Sequence, residues 1–202
     1  MMRGLYLVTP DWDDTERLVD VTRQALQAGA ALVQYRHKDA APDLRHEQAA
    51  ALLALCRRHG RPLIVNDHVD LCLALDADGV HVGGLDAPAA AVREAVGPDK
   101  IVGASCYGDF ALAQGAQAAG ASYVAFGGFY PSVVKKYAVT TPPDIVVDAK
   151  AALRVPVVVI GGMTAENALP LVARGADMVA AISSVYWAQD PYAAVREFAR
   201  LF

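Results

Sequence analysis

The sequence predicts a (β/α)8 TIM barrel, a single domain over residues 1–202, and three observations carry that expectation. Short β-branched and aliphatic runs alternate with Ala-, Leu-, Arg- and Glu-rich amphipathic stretches, giving about eight units of roughly 25 residues each. A chain of 202 residues has the length of one domain. Its 54% hydrophobic content and mean hydropathy of +0.26 demand a large core, which a parallel sheet buried on both faces provides. An open doubly wound sheet fits less well, because no G-x-G-x-x-G opens the first helix after the first strand.

Strands are expected over residues 5–9, 32–36, 63–66, 79–82, 101–105, 123–127, 157–160 and 178–182, each a short aliphatic run. The helices between and after them are expected over 14–28, 42–59, 69–75, 88–96, 109–119, 143–152, 165–174 and 191–201. Asp14, Thr164 and Asp190 stand at or near N-caps, and Pro42, Pro88 and Pro191 fall in first turns. Gly29, Gly60, Gly97, Gly120 and Gly175 follow helices as stops.

The net charge is −4 and the basic residues form no run, so neither a nucleic acid nor an anionic membrane is suggested as partner. Cys56, Cys72 and Cys106 are odd in number and lack C-x-x-C spacing, which predicts a reduced, cytoplasmic setting without disulfides or structural zinc. No signal peptide is visible before the first strand, and no apolar run is long enough to span a bilayer.

In such a barrel the chemistry belongs at the carboxyl ends of the strands. There the run Gln34-Tyr-Arg-His-Lys38 places Gln34, Arg36 and Lys38 on one face by alternation, an amide and two cations suited to an anion. A solvated strand end explains the same run equally well. Gly161-Gly162 and Ser183-Ser184 close strands seven and eight, the usual phosphate corner of this fold, although Gly-Gly is also a tight βα turn. Asp67 and Asp86 follow strands three and four beside Asn66, and suit either a Mg²⁺ ion or two helix caps. Arg36, Lys38 and Lys135 could gather a second, more highly charged phosphate group; rim charge is the alternative. Cys106 and His81 read as packing residues, His37 as facing away from the interior, and Trp12, Tyr186 and Trp187 as cover for the mouth or as core. Residues 132–142, polar and bracketed by prolines, form a candidate lid.

Seven motifs in order along the chain resemble thiamine phosphate synthase: Leu-Tyr-Leu-Val-Thr-Pro from Leu5, Val-Gln-Tyr-Arg-His-Lys from Val33, Ile-Val-Asn-Asp from Ile64, Ala-Asp-Gly-Val-His-Val-Gly from Ala77, Val-Gly-Ala-Ser from Val102, Phe-Gly-Gly-Phe-Tyr-Pro-Ser from Phe126 and Ile-Gly-Gly-Met-Thr from Ile160. The resemblance implies a Mg²⁺-dependent cytoplasmic transferase of thiamine biosynthesis, acting on small phosphorylated molecules and compatible with a homo-oligomer. It would join 4-amino-2-methyl-5-hydroxymethylpyrimidine diphosphate to a thiazole phosphate, carboxylated or not, and release diphosphate. Gln34, Arg36, Lys38, Asn66, Ser105 and Lys135 would bind the pyrimidine diphosphate, with Arg36, Lys38, Ser105 and Lys135 acting in catalysis. Asp67 and Asp86 would carry the metal, while Ser132, Val133, Val134, Gly162, Ile182 and Ser183 would hold the thiazole phosphate. Val134 departs from the family's usual Thr-x-Thr-Lys segment and lacks its hydroxyl; Gly83-Gly84 replaces the common Gly-Gln. A thiazole tautomerase-like isomerase is the nearest rival, but it uses a histidine in the loop after strand six, where this chain has Gly127-Gly-Phe-Tyr130. A catalytically inactive, ligand-sensing barrel is the third reading, favoured only by Val134.

Overall fold

A computed structural model describes residues 2–83, 88–132 and 140–202. Among them are the strands β1 (Gly4–Val8), β2 (Leu32–Tyr35), β3 (Leu63–Asn66), β4 (Gly79–Gly83), β5 (Ile101–Tyr107), β6 (Tyr123–Gly127), β7 (Val157–Ile160) and β8 (Met178–Ala181). All pair in parallel, each with the next, and β8 closes on β1 through the register Gly4↔Met178 to Leu7↔Ala181. The helices are α1 (Thr15–Ala28), α2 (Pro42–Arg58), α3 (Val69–Leu75), α4 (Ala89–Val96), α5 (Phe110–Ala118), α6 (Ile145–Ala152), α7 (Ala165–Ala173), α8 (Ser183–Tyr186) and α9 (Pro191–Ala199). The expected TIM barrel is thus the fold observed.

The helix starts follow their side chains. Asp14 accepts from Arg17 N–H, Asp190 from Ala193 N–H, and Thr164 forms a capping box with Asn167. Most element bounds shift by a residue or two from expectation, and four differences are informative. β2 ends at Tyr35, because the Arg36 peptide pairs with the Thr9 hydroxyl instead of a neighbouring strand (2.8 and 2.9 Å). β5 runs on to Tyr107 through a register shift against β6. α6 begins only at Ile145, with Pro142 and Pro143 forming the turn before it. The short α8, unforeseen, begins at Ser183 where strand eight was expected to end.

One device recurs at the amino ends of the strands, the end of the barrel that this fold uses for stability. The residue preceding β4, β6 or β8 clips the start of the previous strand twice. Asp78 N–H donates to Leu63 O while its carboxylate accepts from Leu63 N–H at 2.8 Å. Ser122 does the same to Val102, and Asp177 to Val157 (2.8 Å to the carboxylate). Each clip occupies a backbone N–H that the sheet's stagger leaves outside the ladder. The Asp78 and Asp177 positions also follow a left-handed helix stop, at Asp76 (φ 53°) and Gly175 (φ 107°).

Replacing Asp177 by Ala leaves the Val157 N–H without its acceptor and should destabilise the fold by about 1–3 kcal/mol. Lys150→Ala removes only the half-exposed ion pair to Asp177 (2.8 Å), worth less than about 1 kcal/mol. Thermal unfolding of the two variants tests this; equal losses would place the stabilisation in the ion pair.

Candidate functional site

Alternation sends Tyr6, Gln34, His81, Ser105 and Tyr123 into the barrel, and they meet there. Gln34 Nε2 donates to Tyr6 Oη at 2.7 Å, and the Tyr6 and Tyr123 hydroxyls lie 2.6 Å apart. Tyr123 Oη is 2.9 Å from His81 Nδ1, and His81 Nε2 is 2.8 Å from Ser105 Oγ. β1 and β6 are not neighbours, so the two phenols bond across the lumen. Burial pushes both tyrosine hydroxyls well above their ordinary pKa, so they remain protonated donors. His81 is the satisfied histidine expected of it, with both ring nitrogens paired. Gln34 and Ser105 are the upper ends of this line, and Gln34 is buried deeper than a rim residue would be.

The cations after β2 are organised by a residue that sequence reasoning passed over. Asp11, in the β1–α1 loop, receives Arg36 Nη1 on both carboxylate oxygens at 3.1 Å and the Lys38 N–H at 2.9 Å. Arg36 is 6% exposed, so its guanidinium is fixed and already paired; Lys38 is exposed. His37 turns the other way, as expected, and its Nε2 lies 2.9 Å from Asp13. The signal was present as the acidic run Asp11-Trp-Asp-Asp14, of which only the helix cap Asp14 was read.

Asp67 stands at the carboxyl end of β3 with φ 61°, a left-handed conformation unusual for a residue with a side chain. Its N–H donates to His81 O, and Asn66 Nδ2 holds its carboxylate at 2.6 Å. The helix-cap alternative fails here: His68 is the N-cap of α3, and that helix start has no side-chain cap. An exposed carboxylate, oriented by an amide and held in a strained backbone, is a hard oxygen donor that fits Mg²⁺. Among the described residues no group of three or more His, Cys, Asp or Glu side chains could hold a metal. The second proposed ligand, Asp86, lies outside the described residues, as do Val133, Val134 and Lys135.

Between β7 and β8 a cleft is lined by Ser132, Gly161, Gly162, Met163, Ile182 and Ser183. This brings together four of the residues expected at the phosphate corner: Ser132, Gly162, Ile182 and Ser183. Gly162 (φ 62°) is needed twice over. A Cβ there would overlap the Pro131 carbonyl oxygen, so the loop after β6 packs directly on the turn after β7. Both readings of Gly-Gly therefore hold geometrically: it is a tight turn, and it is part of the cleft.

The other candidates take no part. Burial pushes the Cys106 thiol up to about 12, which removes it as a nucleophile at neutral pH. Trp12 packs edge-on against Tyr186 and Trp187 at 5.4 and 5.6 Å, and Tyr186 is fully buried with its hydroxyl on Thr22. That cluster is wall and core, with Trp187 exposed. Among the described residues no helix is long and apolar enough to cross a membrane.

Comparison with known proteins agrees with this geometry. The chain is 65% identical over 201 residues to a thiamine-phosphate synthase of Janthinobacterium sp. (strain Marseille), covering 100% of this chain and 97% of that protein. It is 50% identical to one from Methylobacillus flagellatus, covering 100% and 96%. The solved thiamine phosphate pyrophosphorylase from Pyrococcus furiosus superposes with a TM-score of 0.86 at 32% identity, over 99% of this chain and 95% of that one. A 3-hexulose-6-phosphate synthase structure, at 20% identity and TM-score 0.73 over 98% and 99% of the two chains, shares the fold alone. The family model described as thiamine monophosphate synthase matches residues 5–185, and the chain belongs to that family.

Proposed function

We propose that this chain is a Mg²⁺-dependent transferase of thiamine biosynthesis: it moves the aminomethylpyrimidinylmethyl group from its diphosphate to thiazole phosphate, giving thiamine phosphate and diphosphate. Family membership carries the reaction class, and one observation carries the assignment to this site. The amide, hydroxyl and guanidinium of Gln34, Ser105 and Arg36 and the carboxylate of Asp67 stand at or near the carboxyl ends of β2, β3 and β5, on the same barrel end as the Gly162–Ser183 cleft after β7 and β8. Two anion sites of different charge on one barrel mouth suit two phosphorylated substrates. The tautomerase-like alternative accounts for only one of them, and the retained charged set argues against a ligand-sensing barrel.

The reaction breaks the bond from the pyrimidine methylene to diphosphate oxygen, and the thiazole nitrogen captures the methylene. The pyrimidine amino group feeds electrons into the carbon as the bond opens. No protein nucleophile is required, which agrees with the protonated, buried thiol of Cys106. What the protein must supply is charge complementarity for the departing diphosphate and a fixed line between nitrogen and methylene. Arg36, Lys38, Ser105 and Lys135 take the first task; Gln34 and Asn66 orient the pyrimidine; Ser132, Val133, Val134, Gly162, Ile182 and Ser183 hold the thiazole phosphate. Asp67 and Asp86 would hold a Mg²⁺ ion, which when bound supplies further positive charge to the leaving group. A cytoplasmic location belongs to the same proposal, supported by three buried free cysteines.

The direct test is diphosphate release with both substrates and Mg²⁺, and with each omitted in turn; release without the thiazole phosphate would overturn the transfer reaction. Asp67→Asn should cut turnover by about tenfold or more through loss of a charged ligand. Its melting temperature should hold, because Asn tolerates a left-handed backbone and no cap is lost. A fall of several degrees with full activity at saturating Mg²⁺ would restore a structural role.

Asp11→Ala unties Arg36 and Lys38 together. The Michaelis constant for the pyrimidine diphosphate should rise about tenfold, as expected when a charged hydrogen-bonded anchor is lost, while that for thiazole phosphate stays put. A lower constant would show Asp11 to be a competitor for Arg36. Ser183→Ala should do the converse, raising only the thiazole phosphate constant. Ser183 is the cleaner probe of that cleft than Gly162, where any side chain would displace Pro131.

A further inference from the structure

The line from Gln34 through Tyr6, Tyr123 and His81 to Ser105 joins five strands, and its protons can be arranged consistently in one direction. Each hydroxyl and each neutral imidazole has one proton to give. Tyr6 accepts from Gln34 Nε2, so its own proton goes to Tyr123, the remaining partner. Tyr123 then donates to His81 Nδ1, and His81 carries its proton on Nε2 and donates to Ser105 Oγ. Ser105, having accepted, turns its own O–H toward the barrel mouth. With Gln34 presenting Nε2 to Tyr6, the opposite polarity would leave the proton of the fully buried Tyr6 hydroxyl without an acceptor among the described residues, a cost of about 1–3 kcal/mol.

The barrel is shaped to admit this line. His81 and Tyr123 stand on β4 and β6, with β5 between them. They stack at 5.6 Å over Gly103, where a Cβ would overlap the Tyr123 ring and hydroxyl and lie 2.6 Å from His81 Nδ1. Packing alone would need the rings of Tyr6 and Tyr123; it would not need their hydroxyls. We infer that Tyr6 and Tyr123 are positioning residues: they hold His81 as its Nε2–H tautomer, which presents Ser105 to the active site as a hydrogen-bond donor for an anion. The inference rests on the proposed function only for the identity of that anion, the diphosphate.

Two measurements on the full chain test it. Long-range proton–nitrogen NMR of histidine-labelled protein, with His81→Gln for assignment, reads the tautomer directly. The expected spectrum shows Nε2–H in the wild type and a loss of that preference in Tyr123→Phe, with Tyr6→Phe shifting the same way to a smaller degree. Titration with diphosphate and Mg²⁺ reads the consequence. Tyr123→Phe should weaken binding about tenfold, the loss of one oriented bond to a charged group, and should have no further effect in a Ser105→Ala background. A wild-type Nδ1–H tautomer, or equal losses in both backgrounds, would overturn the inference. Undiminished diphosphate binding by Ser105→Ala would instead overturn the proposed anion assignment, and the tautomer readout would still decide the role of the tyrosines.

Discussion

A closed parallel barrel leaves a polar atom deep in its interior no route to water, and most of this structure follows from that constraint. Eight strands pair all round, so the ladder itself satisfies the backbone, and side chains of one parity must fill the lumen. Nearly all of them can be aliphatic without penalty. The five that are polar must be partnered by one another, because an unpaired buried hydroxyl or amide costs as much as several good contacts return. The line across the lumen is therefore one object: removing any member strands its neighbours.

The same accounting separates the two ends of the barrel. At the amino ends, Asp78, Ser122 and Asp177 spend their side chains on neighbouring backbone N–H groups. At the carboxyl ends the balance is reversed. Asp67 satisfies no helix start, Ser105 Oγ meets His81 Nε2 at the upper end of the interior line, and the Gly161-Gly162 turn lines a cleft instead of filling it. Polar capacity in excess of structural need is what a binding site is made of, and here it lies on one face.

The fold was legible in the sequence because a parallel barrel announces itself through local signals. Aliphatic runs, caps and stops lie within a few residues of the element they define, and β3, β6, β7 and α3 fall on their expected bounds. The errors were of another kind. β2 ended early because Thr9, 27 residues away, offered its hydroxyl to the Arg36 peptide. Asp11 was missed for the same reason: its partners Arg36 and Lys38 are remote in sequence, and an acidic residue in a loop has no period to mark it. The Tyr6–Tyr123 bond spans 117 residues and crosses the lumen, so neither tyrosine could be told from ordinary core. Strand-end residues could be found by position, whereas the groups that orient them required the closed barrel.

Asp67 and Asp76 show how strain separates the two ends. Both are non-glycine residues in the left-handed region, at φ 61° and 53°, a conformation that costs about 1–2 kcal/mol for an ordinary side chain and less for Asp. Asp76 is accounted for locally. It closes α3, its N–H bonds to Cys72 O and Leu73 O, and its carboxylate meets Lys100 at 2.7 Å. Gly175, after α7, likewise has a positive φ (107°), as helix stops commonly do. Asp67 has no such account: it ends a strand, caps nothing and turns an exposed carboxylate out of the barrel beside Asn66. Its N–H, bonded to His81 O, ties that conformation to the strand carrying the histidine of the interior line. The carboxylate proposed to hold the metal and the serine proposed as donor are thus tied to opposite sides of one residue, His81, by its carbonyl and by its ring.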